Sequence, residues 1–307
     1  MPLIQYIDKN FSGKSQGLIV KASEIIEEYR DQGFSLTLRQ LYYQFVARDL
    51  IENTQRSYKR LGDVLNNARL AGYIDWNAIV DRTRNLKAVP HWEGPAEMVE
   101  TCVEQFSTDK WENQPCRVEV WIEKDALIGV IERVCKSNDV PYFSCRGYNS
   151  QSEMWRASQR LKRYYDEFDQ DPIILHLGDH DPSGKDMTRD TDDRLYLFTG
   201  CNDDDESMIT VKRIALNMDQ IEHYNPPPNP AKITDSRAKA YISKYGHESW
   251  ELDALEPSVM EELIQGEIDA VRDLQKWDES VEEEEGHREW LKAVSDNWEE
   301  VVVFLGE

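Results

Sequence analysis

Two apolar runs that each stop abruptly at carboxylates constrain this chain more than any other feature. Val118-Glu119-Val120-Trp121-Ile122 leads into Glu123, and Ile173-Ile174-Leu175-His176-Leu177 leads through Gly178 into Asp179 and Asp181. Runs of this length bounded by turn residues suit buried strands of a parallel sheet, whose ligands gather at the carboxyl ends of the strands. In an extended Asp-x-Asp turn the two carboxylates share a face, because side chains two apart point the same way. Glu123 from a neighbouring strand end would complete an all-oxygen donor set. Glu123, Asp179 and Asp181 are therefore expected to hold Mg²⁺, with Mn²⁺ as the alternative, against substrate phosphates. Gly184 is expected to let the backbone turn tightly beneath that site. The competing reading is that these acids, like Asp125, simply cap helices.

Strand and helix patterns alternate after residue 116: strands over 118–122, 142–145, 173–177 and 195–198, and helices over 126–136, 152–168 and 185–193. That alternation predicts an α/β domain built on a parallel sheet. Upstream, helical spacing runs through residues 17–29, 38–48 and 58–68 and is followed by the strand-like Gly72-Tyr73-Ile74. Three short helices and such a tail read as a winged-helix module. The expected division is 1–90 for this module, 91–115 for a linker and bridging helix, 116–260 for the sheet domain and 261–307 for an acidic helical extension. The proline-rich stretch 225–230 is expected to be a connecting loop. Glu282-Glu283-Glu284-Glu285 reads as a solvated turn.

With 307 residues, 40% of them hydrophobic, and nine Trp, the chain can bury a substantial core. No apolar run approaches a membrane span and no secretory h-region is present, so a cytoplasmic protein with no membrane partner is expected. Five cysteines without a Cys-x-x-Cys pair argue against a disulfide framework or a zinc ribbon. The formal charge of −23 taken as a whole opposes a nucleic-acid partner, but it is segregated. The first 90 residues hold 13 Lys and Arg against 10 Asp and Glu, a formal +3 that leaves −26 to the rest. Arg56, Lys59, Arg60, Arg69, Arg82, Arg84 and Lys87 could form a basic surface there, or a solvated helix face. Arg156, Arg160 and Arg163 form a second stripe that could line a nucleic-acid groove, or pair with Glu153 and Glu167.

The carboxylate-ended strands resemble the Toprim domain, the metal-binding module of several topoisomerase classes, bacterial primases and some nucleases. Its Glu and Asp-x-Asp correspond to Glu123 and to Asp179 with Asp181. Trp121-Ile122-Glu123-Lys124-Asp125-Ala126-Leu127 and Ser144-Cys145-Arg146-Gly147-Tyr148 are particularly similar to the topoisomerase VI A subunit and its meiotic double-strand-break relative. Thr37-Leu38-Arg39-Gln40-Leu41-Tyr42-Tyr43 resembles that branch's Ser/Thr-x-Arg-x-Ile/Leu-Tyr-Tyr pattern, in which the second tyrosine is usually the nucleophile. The resemblance spans about residues 35–260 and implies a Mg²⁺-dependent transesterase that cuts double-stranded DNA. Tyr43 would be the nucleophile, Arg39 a phosphate-binding or activating group, Glu123 a general acid or base and Lys124 a phosphate contact. It also implies a homodimer in which the tyrosine of one protomer works with the metal site of the other. By spacing alone, an ordinary amphipathic helix explains the same tyrosines. Trp250-Glu251-Leu252-Asp253-Ala254-Leu255 also resembles a family segment and is read as support for the fold. Only 36 residues precede the Thr-x-Arg motif, which leads us to expect a shortened, A-only homologue of mobile elements without an ATPase B subunit. Two other functions fit the same residues: a Toprim nuclease that hydrolyses DNA or RNA with water, and a DNA-binding protein without chemistry.

Overall fold

A computed structural model describes residues 3–80, 89–199 and 208–306. Asp81, Arg82, Arg84, Lys87 and Cys201 lie outside the described residues. Helices α1 (Gly13–Asp31), α2 (Leu38–Ala47) and α3 (Gln55–Leu70) form the first module, with N-caps at Ser12, Thr37 and Thr54. Thr37 and Gln40 close a capping box, which fixes where α2 begins. Ile25, Leu41, Phe45, Leu61 and Leu65 fill the core between the three helices. The expected strand after α3 is replaced by a turn. Asp75 accepts from the backbone N–H groups of Asn77 and Ala78, and only isolated bridges, Gln5 with Ala71 and Leu36 with Ile79, involve this segment. Among the described residues, the three helices carry no β-hairpin wing.

Helix α4 (Pro95–Gln105) leads to β1 (Cys116–Ile122), α5 (Ile128–Ser137), β2 (Tyr142–Ser144), α6 (Gln151–Phe168), β3 (Asp171–Leu177), α7 (Pro182–Thr199) and β4 (Thr210–Ala215). The four strands form a parallel sheet in the order β2-β1-β3-β4. Val118, Val120 and Ile122 pack with α5 on one face, while Trp121 packs with α6 and α7 on the other. Both faces are covered, which explains why β1 reads as a mainly apolar run. The strand expected over 195–198 is instead the last turn of α7. Leu195 lies eight residues after Met187 on one helical face and is buried against the Trp121 cluster, so tertiary packing overrides local strand propensity.

Helix α8 (Met218–Tyr224) precedes the proline-rich loop. That loop ends in a two-residue strand, β5 (Asn229–Pro230), antiparallel to β6 (Glu248–Ser249), with α9 (Ala238–Tyr245) between them. Helix α10 (Pro257–Val271) crosses the boundary expected at residue 260 and sends Met260, Ile264 and Ile268 into the sheet core, so it belongs to the sheet domain. Helices α11 (Leu274–Asp296) and α12 (Trp298–Leu305) complete the chain.

The four-glutamate run is not a solvated turn. It lies within α11, and Glu284 is buried. Its carboxylate accepts from the Thr108 N–H at 2.8 Å and from Lys110 Nζ at 2.5 Å on one oxygen, and from Arg288 at 2.8 Å on the other. Burial alone would raise its pKa, but Lys110 and the Thr108 N–H hold it down at about 2 against an ordinary 4.5. A depressed folded pKa stabilises the fold above the ordinary value, and that contribution is lost as pH falls through about 2. Glu284→Gln should therefore cost ~1–3 kcal/mol at neutral pH. The deficit, read from urea midpoints, should shrink as the pH is lowered toward about 2.

Candidate active site

Sheet register brings the carboxylates together. Ile122 is level with Leu177 in the β1–β3 pair, so Glu123 emerges beside Gly178, and its N–H bonds the Leu177 carbonyl at 2.8 Å. The Asp179 N–H in turn donates to Glu123 Oε2 at 2.8 Å. The Gly184 N–H bonds Asp181 Oδ1 at 2.6 Å, closing the first turn of α7. An added Cβ on Gly184 would lie 2.3 Å from the Asp179 carbonyl oxygen, so only glycine permits this close approach. Arg213 of β4 braces the turn from below, donating to the carbonyls of Gly178 and Asp179 at 2.8 and 2.6 Å. Burial, followed by repulsion from Asp179, pushes the Glu123 carboxyl up to about 7. Burial also raises Asp179, against the pull of Lys124.

The centre of the site is Lys124. Its Nζ lies 2.8 Å from Asp179 Oδ1, 2.6 Å from Asp253 Oδ2 and 3.1 Å from Glu251 Oε2. Burial opposes the charged ammonium, but the three carboxylates outweigh it and hold Lys124 well above its ordinary range. Asp253 and Glu251 arrive because residues 250–254 pair with the turn: Trp250 and His180 exchange backbone hydrogen bonds of 2.8 and 2.9 Å, and the Leu252 N–H donates to Asp179 Oδ1 at 2.8 Å. Glu251 also pairs with Arg39 on α2. One carboxylate thus joins the first module to the strand-end acids.

On the same helix Tyr43 is 3% exposed, and its hydroxyl accepts from Asn229 Nδ2 at 3.2 Å. The Arg39 guanidinium lies 6.0 Å from the Tyr43 ring centroid. Burial, with Glu251 adding to it, pushes the phenol up to about 12. Tyr42 turns away, donating to Asn53 Oδ1 at 2.9 Å. A cleft of about 440 Å³ opens beside Arg39, between α2, α3 and Ala126 of the loop after β1, with Tyr58 and Asn66 among its walls.

The structure therefore gathers Arg39, Tyr43, Glu123, Lys124, Asp179 and Asp181 at one end of the sheet. Among the described residues no three His, Cys, Asp or Glu side chains close on one point at metal-ligand distances. Even so, the all-oxygen donor set fits a hard divalent cation, which would relieve the repulsion from Asp179 that raises Glu123.

The second arginine stripe does not form a free basic face. Arg160 makes a two-point contact with buried Glu119 at 2.9 and 3.0 Å, because a carboxylate inside the sheet needs a cation. Arg156 pairs with Glu153 and Arg163 with Glu167. Arg69 turns inward onto the Trp76 ring and carbonyl. Arg56, Lys59 and Arg60 lie exposed at i, i+3 and i+4 on one face of α3. Glu251, Asp253, Asn229 and Arg213 escaped prediction as site residues. The alternate acids of Glu251-Leu252-Asp253 beside Trp250 were the available signal, and Asn229 was hidden in a stretch that prolines marked as a loop. No protein-family model matches this chain, and no curated protein matches it.

Replacing Lys124 by Met should leave Asp253, 2% exposed, beside Asp179 with only the more distant Arg39 Nε, 4.0 Å from Asp253 Oδ2, as its paired cation. The expected loss is ~3–5 kcal/mol in chemical denaturation. A loss within ~1 kcal/mol, the usual value of a surface pair, would contradict the role given to Lys124.

Proposed function

We propose that this protein is a Mg²⁺-dependent DNA transesterase of the topoisomerase VI A type, with Tyr43 as nucleophile and a Toprim-like acid site. The observation that carries this reading is the Arg39–Glu251–Lys124–Asp179 chain of ion pairs, which ties the tyrosine helix to the Asp-x-Asp turn within one polypeptide. The three helices would serve as the DNA-binding module, with Arg56, Lys59 and Arg60 taking backbone phosphates. Glu123, Asp179 and Asp181 would hold the cation, which supplies charge neutralisation at the scissile phosphate.

The chain's own residues divide the remaining work. Tyr43 Oη forms a new phosphoester bond as the phosphodiester's P–O bond breaks, and the phenol proton passes to a solvent water in the same step. The departing sugar oxygen receives a proton from Glu123 acting as general acid, the role that the family resemblance implies. Reversal reseals the strand, since one phosphoester replaces another. Arg39 favours the phenolate electrostatically, but Glu251 opposes it more strongly, so the DNA phosphate must draw Arg39 away from Glu251 for that effect to be felt. This cis arrangement makes one cut per chain. A homodimer would then pair two cuts instead of completing one centre.

A second reading draws support from the same tyrosine. A phenol buried and pushed up to about 12 is protonated at neutral pH, which favours hydrolysis by water at the acid site with Tyr43 as a structural residue. Incubation with end-labelled supercoiled DNA and Mg²⁺, followed by a denaturing gel, separates the two. Transesterification predicts label on the wild-type protein and none on Tyr43→Phe, a change that removes one hydrogen bond worth ~1 kcal/mol and leaves the fold intact. Cleavage that persists in Tyr43→Phe without an adduct would replace it by hydrolysis.

A further inference from the structure

Beyond the acid site, a second set of charges is left without partners. Lys185 in the first turn of α7 and Lys244 at the end of α9 approach the same ring, with Nζ 5.8 and 5.1 Å from the Tyr245 centroid. Neither makes an ion pair among the described residues, in a chain of net charge −23. The cations around them are committed: Arg189 and Arg237 to Asp186, Arg213 to backbone carbonyls. Lys185 is half-buried and faces Arg213 and Lys244 as repelling charges, with Asp219 as the attracting carboxylate. Lys244 repels Lys185, and an anion bound near both ammonium groups would relieve that repulsion.

The platform is rigid and continuous with the acid site. His180, between Asp179 and Asp181, packs edge-on to Tyr245 with centroids 4.7 Å apart, and its Nδ1 lies 2.7 Å from the Tyr241 hydroxyl. Tyr241 packs on Tyr245 in turn, at 5.1 Å. The ring that carries the two lysines is thus locked to the residue inside the Asp-x-Asp turn.

We propose that Lys185, Lys244 and Tyr245 form a phosphate subsite that takes a backbone phosphodiester of a nucleic-acid strand next to the scissile one. As to ligand source this rests on the DNA reading above; the lysine pair as an anion site does not. Ammonium groups act here as point charges, which suits a phosphate whose position is set by the rest of the strand.

The test compares the Tyr43→Phe chain with the same chain carrying Lys185→Ala and Lys244→Ala. Binding of a short duplex is followed by fluorescence anisotropy across a salt series, and inorganic phosphate is titrated separately by calorimetry. Loss of two phosphate contacts should lower the slope of log K against log salt by about 1 to 2. Lys185→Arg with Lys244→Arg should restore it, and the denaturation midpoint should show that the fold is retained. The double alanine chain should also lose phosphate heat. An unchanged slope with a retained fold overturns the subsite. Phosphate heat that survives the double substitution overturns it regardless of the DNA result. Failure of the parent chain to bind duplex at any salt, with phosphate heat that depends on the lysines, would sink the DNA reading and leave a free-phosphate site.

Discussion

Lys124 decides how this end of the molecule is built. Its ammonium lies within 3.1 Å of three carboxylates from two segments, namely Asp179 after β3 and both Glu251 and Asp253 before α10. Buried carboxylates at this density repel and would otherwise protonate or move apart. One cation lets them stay together, and it stands directly beside Glu123. The geometry of the strand-end turn, the return of residues 250–254 and the docking of α2 therefore share a single electrostatic centre. Glu256 extends that docking, bonding Gln44 at 3.0 Å and Tyr29.

The sheet was legible in the sequence because β1 and β3 are buried on both faces, and a doubly covered strand must be apolar throughout. Arg117, paired with Asp109, and Glu119 are the exceptions inside β1, and the cost of burying Glu119 is what takes Arg160 out of the expected basic stripe. Local patterns misled wherever a distant partner set the outcome. Residues 195–198 looked like a strand but extend α7, because Leu195 has a place in the Trp121 cluster. Glu284 looked solvated within its acidic run but is held by Ser107, Thr108 and Lys110 from 174 to 177 residues away. Glu251 and Asp253 carried a family-like pattern, yet nothing local showed that Lys124 would be their partner.

Charge segregation takes a sharper form in three dimensions. Many basic side chains near the sheet are neutralised by neighbours, and among the described residues Arg56, Lys59 and Arg60 on α3, and Lys185 with Lys244 around Tyr245, are among the cations without an ion pair. An acidic protein of this kind can still meet a phosphate backbone, because local unpaired charge, and not the net value, sets each contact.

The resemblance to topoisomerase VI A places the tyrosine and the metal acids of one centre on different protomers, whereas the ion-pair chain here joins them within one. Mixing chains distinguishes these arrangements most directly. A Tyr43→Phe chain and an Asp179→Asn chain are combined on labelled duplex with Mg²⁺, and covalent protein-DNA adduct is measured beside wild type. If each chain holds its whole centre, wild type forms the adduct and the mixture forms none. Restoration of the adduct in the mixture, with neither chain active alone, would contradict the cis assembly around Lys124.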